Sequence, residues 1–208
     1  NPIAIIDVNG DSVVINDGKE KFEYRGGKLY EYGTSNAVDL EARSRKKSFW
    51  GKVSEKLFGD FVKDTYAALQ KVESGGPKGK ELVGKIVESS LTTTIVKSSG
   101  GAGGFIPSTN TIVFDPRGTF NGVDAAGRVT NDPAFVGLSH ELGHAIDLQD
   151  GDYGYDPWFT TPNGTVSVSE KEAMRWENSV RAEHGIVRRG YYTINSETGK
   201  PVGEAPKE

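Results

Sequence analysis

The segment SHELGHAID, from Ser139 to Asp147, contains the pattern His-Glu-x-x-His in a chain that has only three histidines. Two imidazoles four residues apart project from one face of a helix and can bind a single tetrahedral metal ion. A glutamate directly after the first histidine can reach an activated water and act as general base. His140 and His144 are therefore candidate zinc ligands, and Glu141 is the candidate base.

The same spacing also fits two simpler interpretations, a solvated helix face and a hydrogen-bonded pair of histidines in the core. Neither of them would hold a metal ion. The neighbouring residues favour the metal site, because Gly143 and Ala145 are small and let another element approach the motif. Whether the two histidines bind a metal ion decides whether the protein is an enzyme.

A catalytic zinc site needs a third protein ligand and leaves its fourth position to water. The chain has no cysteine, which excludes disulfides and cysteine-ligated zinc. His184 is the only other histidine, so a carboxylate is favoured as the third ligand. Asp147 follows His144 by one helical turn, but it lies so close along the same helix that we expect it to orient a neighbouring group instead.

A later helix, SEKEAMRWENSVRAEHG, is the better source of the third ligand, and we expect it between Ser169 and Gly185. Glu170, Ala173 and Glu177 fall close to one face of this helix. The small side chain of Ala173 permits a close approach between the two helices. We therefore expect Glu170 or Glu177 to face the histidines.

Capping residues mark the ends of both helices. Asp132 is the expected N-cap of the motif helix, with Pro133 in its first turn and the helix continuing to about residue 149. Ser169 and Glu172 have the spacing of a capping box. Glu172 is thereby explained as a cap, and Glu172 and Glu183 are both interpreted as parts of a solvated acidic face.

The pattern of elements along the chain predicts an α+β fold. Residues 3 to 33 alternate between apolar and polar types, with breaks at NG, DG and GG, and predict a β-meander. Steps of three and four residues from Val38 to Ser74 predict an amphipathic helix, and a second helix begins at about Pro77. LTTTIVKSS and NTIVFDPRG predict two strands that form a hairpin through the glycine-rich loop at 100–104. Residues 151–164 predict a turn-rich aromatic loop, and the tail from Ser196 is expected to fray.

Composition narrows the classes of partner. The 208 residues carry a net charge of -4, and the basic side chains are scattered among carboxylates, which argues against nucleic acid as a partner. No apolar run approaches the roughly 20 residues of a membrane-spanning helix. The N-terminus shows no signal peptide and no initiator methionine. The chain is therefore expected to be a processed product or an excised domain that something else carries if it is exported.

The segment HELGHAID, preceded by IVFDP and followed by EKEAMRWENSVRAEHGIVRRGYY, resembles the NleD-like effector zinc metallopeptidases. These occur as bacterial type III effectors and as C-terminal toxin domains of Rhs-repeat proteins. The ending typical of that family is similar here to Glu177, Asn178, Arg181, Glu183, Gly185, Arg189 and Tyr192. The likeness covers about residues 49 to 192, and Ile186-Val187 stands where the family has Leu-Pro.

The resemblance implies a zincin-like metallopeptidase domain over residues 37–208, with a small β-hairpin or sheet next to the motif helix. Residues 1–36 are then a β-meander appendage outside the likeness. A Glu-x-x-Ala step on the helix after the motif is also similar to anthrax lethal factor, which shares His-Glu-x-Gly-His-Ala-x-Asp. By that likeness Glu170 is the first choice for the third zinc ligand and Glu177 is the second.

The activity implied is zinc-dependent hydrolysis of a peptide bond, in which Glu141 takes a proton from water and later delivers it to the leaving amine. Tyr192 is the expected oxyanion donor. Arg181 and Arg189 are candidates for the same role, but a structural role is favoured for both, with Arg181 pairing with Glu177.

The strand from Thr111 to Phe114 is the expected edge along which an extended protein substrate adds. The family setting implies a secreted or delivered toxin or effector that acts on a protein in a target cell, with a cognate immunity protein as a second partner. Two alternatives stay open: a non-catalytic binding module braced by zinc, and a zinc hydrolase that acts on cell-wall peptide.

Overall fold

The computed structural model describes residues 12–46, 48, 51, 60–98 and 103–206. Three sequence predictions fall partly outside these residues. They are the start of the β-meander with its turn at Asn9-Gly10, residues 52–59 of the first predicted helix, and residues 100–102 of the glycine-rich loop.

Runs of strands and runs of helices follow one another along the described part of the chain. Its five α-helices are α1 Leu40–Lys46, α2 Phe61–Ser74, α3 Pro77–Val87, α4 Ala134–Asp150 and α5 Val168–Glu183. Its first six strands are β1 Val13–Asn16, β2 Lys21–Arg25, β3 Lys28–Glu31, β4 Thr93–Lys97, β5 Gly104–Ile106 and β6 Thr111–Phe114. The later strands are β7 Thr119–Asp124, β8 Val129–Pro133, β9 Pro157–Thr161, β10 Gly164–Ser167, β11 Arg189–Ile194 and β12 Pro201–Glu204.

The largest sheet has six strands in the order β3-β2-β1-β4-β6-β5, and the predicted α+β fold is confirmed. β1, β2 and β3 form the predicted meander by antiparallel pairing. β1 also pairs in parallel with β4, with Val13 opposite Thr93. The meander therefore continues the sheet that lies beside the motif helix. The boundary at residue 36 stays a prediction, because a shared sheet does not measure whether the two parts fold separately.

A hairpin does precede the motif helix, but its strands differ from those predicted. β4 and β6 pair in parallel, so they are not its two arms. The arms are β5 and β6, which pair antiparallel across a 3-10 turn at Pro107–Thr109. β6 is thus paired on both sides, and its prediction as the free substrate edge is wrong. β5 is the outermost strand of this sheet instead.

Within the helical pattern predicted from Val38 to Ser74, the described residues form α1 and α2, and residue 51 between them is also helical. The face of α2 that packs into the core carries Phe61, Val62 and Leu69, which are all buried. α3 begins at Pro77, as predicted. The described parts of this segment thus place apolar helix faces against the core.

Glu183 was predicted to lie on a solvated face, and this is wrong. Its carboxylate accepts hydrogen bonds from the backbone N–H groups of Lys78, at 2.6 Å, and Gly79, at 2.8 Å. These are free N–H groups of the first turn of α3, where a negative charge also interacts favourably with the helix dipole. Glu183 therefore ties the end of α5 to the start of α3.

The predicted N-cap of α4 is also wrong. The helix begins after Pro133 without a side-chain cap. The carboxylate of Asp132 instead accepts hydrogen bonds from Arg181 Nη2, at 2.6 Å, and from the hydroxyl of Thr130, at 2.7 Å. A buried guanidinium competes with the helix end for this carboxylate, and the charged pair is the stronger contact.

α5 starts one residue before the predicted capping box. Ser167 is its N-cap position and makes no capping bond, while the hydroxyl of Ser169 lies 2.7 Å from that of Ser167. Glu172 pairs with Arg175 on the helix surface. At the other end the chain leaves the helix through Gly185, with a φ of 66°, which is the predicted stop.

A second sheet was not predicted. It has four strands in the order β12-β11-β7-β8. β12 pairs with β11, so the tail predicted to fray from Ser196 contains a paired strand. The predicted aromatic loop contains β9 and leads into β10, and these two strands form a small hairpin.

α4 and α5 form the closest helix pair around the motif. A Cβ atom built on Gly143 would lie 2.9 Å from Ala173 Cα, so the predicted approach between the helices depends on glycine and alanine at these positions. The opposite side of α4 packs into the core through Leu138 and Leu142, which are fully buried. Within the described residues, no helix combines the length and the apolar character needed to cross a membrane.

Candidate metal centre

The two motif histidines lie in the middle of α4 and are almost completely buried, with 4% of His140 and 3% of His144 exposed. The helix around them is apolar on most sides, so burial is a consequence of the surrounding sequence. It ends at Gly151, with a φ of 78°, which is the left-handed conformation that glycine tolerates. Buried imidazoles need polar partners, because desolvation is otherwise unfavourable.

Glu170, in the first turn of α5, supplies the shared partner. Its Oε2 lies 3.0 Å from His140 Nε2 and 3.4 Å from His144 Nε2. These three ligand atoms all lie within 4.8 Å of one another and form a group that could hold a metal ion. Burial tends to raise the pKa of Glu170, but the hydrogen bonds from both histidines outweigh it and lower this pKa below its ordinary value.

Glu177 faces the other nitrogen of His140. Its Oε2 lies 3.0 Å from His140 Nδ1 and 2.9 Å from Arg189 Nη1, while its Oε1 accepts a hydrogen bond from Arg181 Nε at 2.7 Å. Both oxygens of this fully buried carboxylate are therefore engaged. The predicted pairing of Arg181 with Glu177 is confirmed. Glu177 orients the imidazole, and Glu170 is the carboxylate on the side that faces the histidine pair.

Four side chains form a buried charge network behind His140. Two guanidiniums, Arg181 and Arg189, lie against two carboxylates, Glu177 and Asp132, so the network is neutral. Its members are between 0% and 6% exposed. Removing one member of such a group leaves an uncompensated charge in a dry environment. The network thereby holds the carboxylate of Glu177 in one position.

Asp147 does not make the orienting contact that was predicted. Among the described residues, Asp147 Oδ2 and His144 Nδ1 are both buried without a hydrogen-bond partner. Burial of the carboxyl, together with the negative charge of Glu172, raises the pKa of Asp147 from 3.8 to about 7. His144 is therefore held by its Nε2 side and by packing, including the stacked ring of Phe105 at 6.0 Å.

Glu141 lines the same pocket as both histidines and Glu170, and this pocket has a volume of about 310 Å³. Burial raises the pKa of the Glu141 carboxyl above its ordinary value, although the nearby histidines act in the opposite direction. A carboxylate with a raised pKa is a stronger base than an exposed one. Glu141 therefore lies in the lining of the pocket that contains the three candidate ligands.

Tyr192 and Arg189 reach this pocket from β11. Burial, and then the negative charge of Glu170, raise the pKa of the Tyr192 phenol, so it stays protonated at neutral pH. The guanidinium of Arg189 lies 4.8 Å from the centre of the Tyr192 ring. Asn178 fixes the strand against α5 by exchanging hydrogen bonds with the backbone N–H and C=O of Arg189, at 2.7 and 2.9 Å. Arg181 lies outside the pocket lining.

Three aromatic residues that were not selected from the sequence also line the pocket, namely Phe105, Phe120 and Tyr153. Tyr153 follows the motif helix closely and belongs to the predicted aromatic loop, which was a usable signal. Phe105 and Phe120 come from strands that were not predicted. They enclose the site and raise the cost of leaving its charged groups unpaired.

Comparison of the chain with protein-family models, with curated proteins and with solved structures finds no match to any of them. The geometry of the site therefore carries the functional argument. What it establishes is a buried group of two histidines and one glutamate, on two helices, that could hold a metal ion.

The third ligand can be tested by replacing the two glutamates separately. We expect Glu170→Ala to abolish tight zinc binding, because it removes an oxygen of the convergent group. Glu177→Gln should weaken zinc binding roughly 10- to 100-fold, as expected when an orienting partner is lost. It should also lower the free energy of unfolding by about 3 kcal/mol, because two buried guanidiniums lose a carboxylate. Competition with a chromophoric chelator measures the affinity for zinc, and urea unfolding measures the free energy of unfolding.

Glu172→Gln is the matched control for zinc binding on the same helix, because Glu172 pairs with Arg175 at the surface. It should leave zinc binding within error. Tight zinc binding that survives Glu170→Ala but is lost in Glu177→Gln would move the third ligand to Glu177.

A pH effect is expected at Asp147 in the metal-free protein. Its folded-state pKa is about 7 against an ordinary value of 3.8, so folding favours the protonated carboxyl. This contribution is fully present below the unfolded pKa and is lost as pH rises through the folded value. Asp147→Asn should therefore be more stable than the wild type at about pH 8 and nearly equal to it at about pH 4. Equal pH curves for wild type and Asp147→Asn would contradict the assignment.

Proposed function

We propose that the protein is a zinc-dependent endopeptidase. The observation that carries the proposal is the convergence of His140, His144 and Glu170 in one pocket with Glu141 beside them. Two imidazole nitrogens and one carboxylate oxygen are a donor set typical of catalytic zinc, with one position left for a fourth ligand. The chain has no cysteine, so it offers no thiolate that would favour a closed structural site.

The described side chains fit a divalent ion in two respects. The two ligand nitrogens are both Nε2, and on His140 the other nitrogen faces Glu177, which selects the tautomer that leaves Nε2 free. Without a cation, Nε2 of His140 faces a second carboxylate as well, so the imidazole must bind a proton there. A zinc ion would supply the Lewis acidity that activates water and polarises a carbonyl oxygen.

Glu141 is the general base in this proposal. Its carboxylate lies in the pocket without being one of the three convergent ligands. Its raised pKa suits a group that accepts a proton from water and then donates it to the leaving amine.

Tyr192 is the proposed oxyanion donor. Its phenol lines the pocket, is protonated at neutral pH, and is within hydrogen-bonding reach of Glu170. Arg189 already donates to Glu177 and to the backbone carbonyl of Tyr192. The arginine therefore positions the tyrosine, and the phenol O–H is the donor that can be directed at the developing charge.

An extended substrate would pair with β5, the outermost strand of the large sheet. Phe105 in this strand packs over His144, so the strand passes directly beside the candidate ligands. Among the described residues, no strand pairs with the outer edge of β5. Such an edge offers backbone donors and acceptors to a peptide of any sequence.

Delivery as a toxin or effector, with a cognate immunity protein, is also proposed, and its support is the sequence likeness around HELGHAID. The neighbouring genes test it. An upstream Rhs-repeat region and a small open reading frame downstream would support delivery, and their absence together with no type III secretion would contradict it.

The proposed activity is tested with Glu141→Gln. Purified wild type should hold about one zinc per chain and hydrolyse unfolded protein substrates, as followed by mass spectrometry of the fragments. The variant should keep its zinc and lose activity by about 10²- to 10⁴-fold, because only the base is changed.

Three outcomes discriminate among the alternatives. A wild type without stoichiometric zinc, or a variant with full activity, contradicts the peptidase mechanism. Zinc without any hydrolysis indicates a binding module braced by the metal. Hydrolysis of cell-wall fragments but of no protein indicates a cell-wall peptide substrate.

The role of Tyr192 is tested with Tyr192→Phe. Tyr191→Phe, at the preceding residue of β11, is the matched control. Loss of one oxyanion donor should lower kcat by about 10²-fold with little change in KM. Zinc content should stay unchanged in both variants. A kcat for Tyr192→Phe equal to that of the control would remove the tyrosine from the mechanism.

A further inference from the structure

A second cavity, of about 320 Å³, adjoins the pocket of the candidate metal centre. The two share Gly103, Phe120 and Glu141 as lining residues. We refer to this second cavity as the side pocket. Because the proposed base lies on the boundary between them, a substrate bound at the ligands has the side pocket next to its reacting bond.

One wall of the side pocket is a face of α4. Ala134, Gly137 and Glu141 all line it, and their spacing of three and then four residues places them on one side of a helix. Two of the three have almost no side chain, which leaves the space open. A Cβ built on Gly137 would lie 2.9 Å from the ring of Phe120, so the helix and β7 already approach as closely as glycine allows.

The opposite wall comes from strands. Val113 and Phe114 contribute from β6, and Phe120 contributes from β7. At roughly 30 Å³ for each water molecule, the cavity has room for about ten of them. Displacing water from apolar walls is favourable for an apolar group.

The charges around the side pocket argue against an acidic guest. Apart from Glu141, Asp115 is the only charged residue among those that line it. Asp115 is exposed, so it belongs to the mouth. Among the described residues, no cation lines the cavity, and this argues against an acidic side chain.

We infer that the side pocket binds a large apolar side chain of the substrate, such as leucine, methionine or phenylalanine, on the residue adjoining the scissile bond. This inference rests on the proposed peptidase function and adds the class of residue at which the chain is cut. Ala134 is then the residue of α4 that sets the size of the accepted side chain.

The test uses the full zinc-loaded chain and a mixture of unstructured peptides that vary on both sides of a potential cut. Mass spectrometry of the products should show a large apolar residue at one fixed position beside the cleaved bond. Replacing that residue by alanine in a cleaved peptide should lower kcat/KM on the order of 10- to 100-fold.

Ala134→Leu reduces the side pocket without touching a candidate ligand. It should lower kcat/KM for the large apolar peptide about 10-fold or more and leave the alanine-substituted peptide almost unchanged. Ala182→Leu is the control, since Ala182 is an exposed residue of α5. Thr119→Phe, at an exposed position that also lines the pocket, is the second variant, to be used if Ala134→Leu fails to fold in a thermal melt.

Failure of the inference is distinguishable from failure of the proposed function. Cleavage without preference for any apolar residue, or an equal loss on both peptides, overturns the side-pocket assignment alone. A preference for lysine or arginine that Asp115→Asn removes does the same and reassigns the pocket. Zinc-loaded protein that cleaves no peptide overturns both.

Discussion

The close contact between α4 and α5 at Gly143 and Ala173 is the constraint on which the site depends. Any larger side chain on Gly143 would meet the Ala173 backbone, since even a Cβ atom would come within 2.9 Å. Separation of the helices by the width of a methyl group would withdraw Glu170 from the histidines. The distances of 3.0 and 3.4 Å that join these groups therefore depend on two small residues that have no chemical role themselves. Since protein interiors are closely packed, such contacts transmit small displacements without absorbing them.

The second constraint is electrostatic. A neutral group of two arginines and two carboxylates lies behind His140 and is shielded from solvent. Buried ion pairs add little net stability, because desolvation offsets much of their attraction. What this group does is restrict the orientation of the Glu177 carboxylate, and through it the ring of His140. Arg189, which pairs with Glu177, also packs on the ring of Tyr192. It therefore connects the α5 side of the pocket to the β11 side.

The two sheets define what surrounds the site. Within the part of the chain that the structure describes, the six-stranded sheet ends at β5, and Phe105 of this strand lies beside His144. The four-stranded sheet contributes β7 and β11, which supply Phe120 to the side pocket and Tyr192 to the metal-site pocket. A peptide aligned on β5 would thus meet the ligands on α4 and α5 and the side pocket along a short path. This arrangement is the reason to treat the pocket and the edge as one binding surface.

The sequence by itself determined the features that depend on helical spacing. His140, Glu141 and His144 lie within about one turn of one helix. Glu170, Ala173 and Glu177 share a face of another. The helical period of 3.6 residues was therefore enough to identify both groups as candidates. Spacing alone could not say which glutamate faces Nε2 and which faces Nδ1, because that depends on how α5 is rotated against α4. Only the tertiary structure decided this, along with the parallel pairing of β4 and β6 and the burial of Arg189. These features arise from contacts between distant parts of the chain, where packing and charge pairing override local preference.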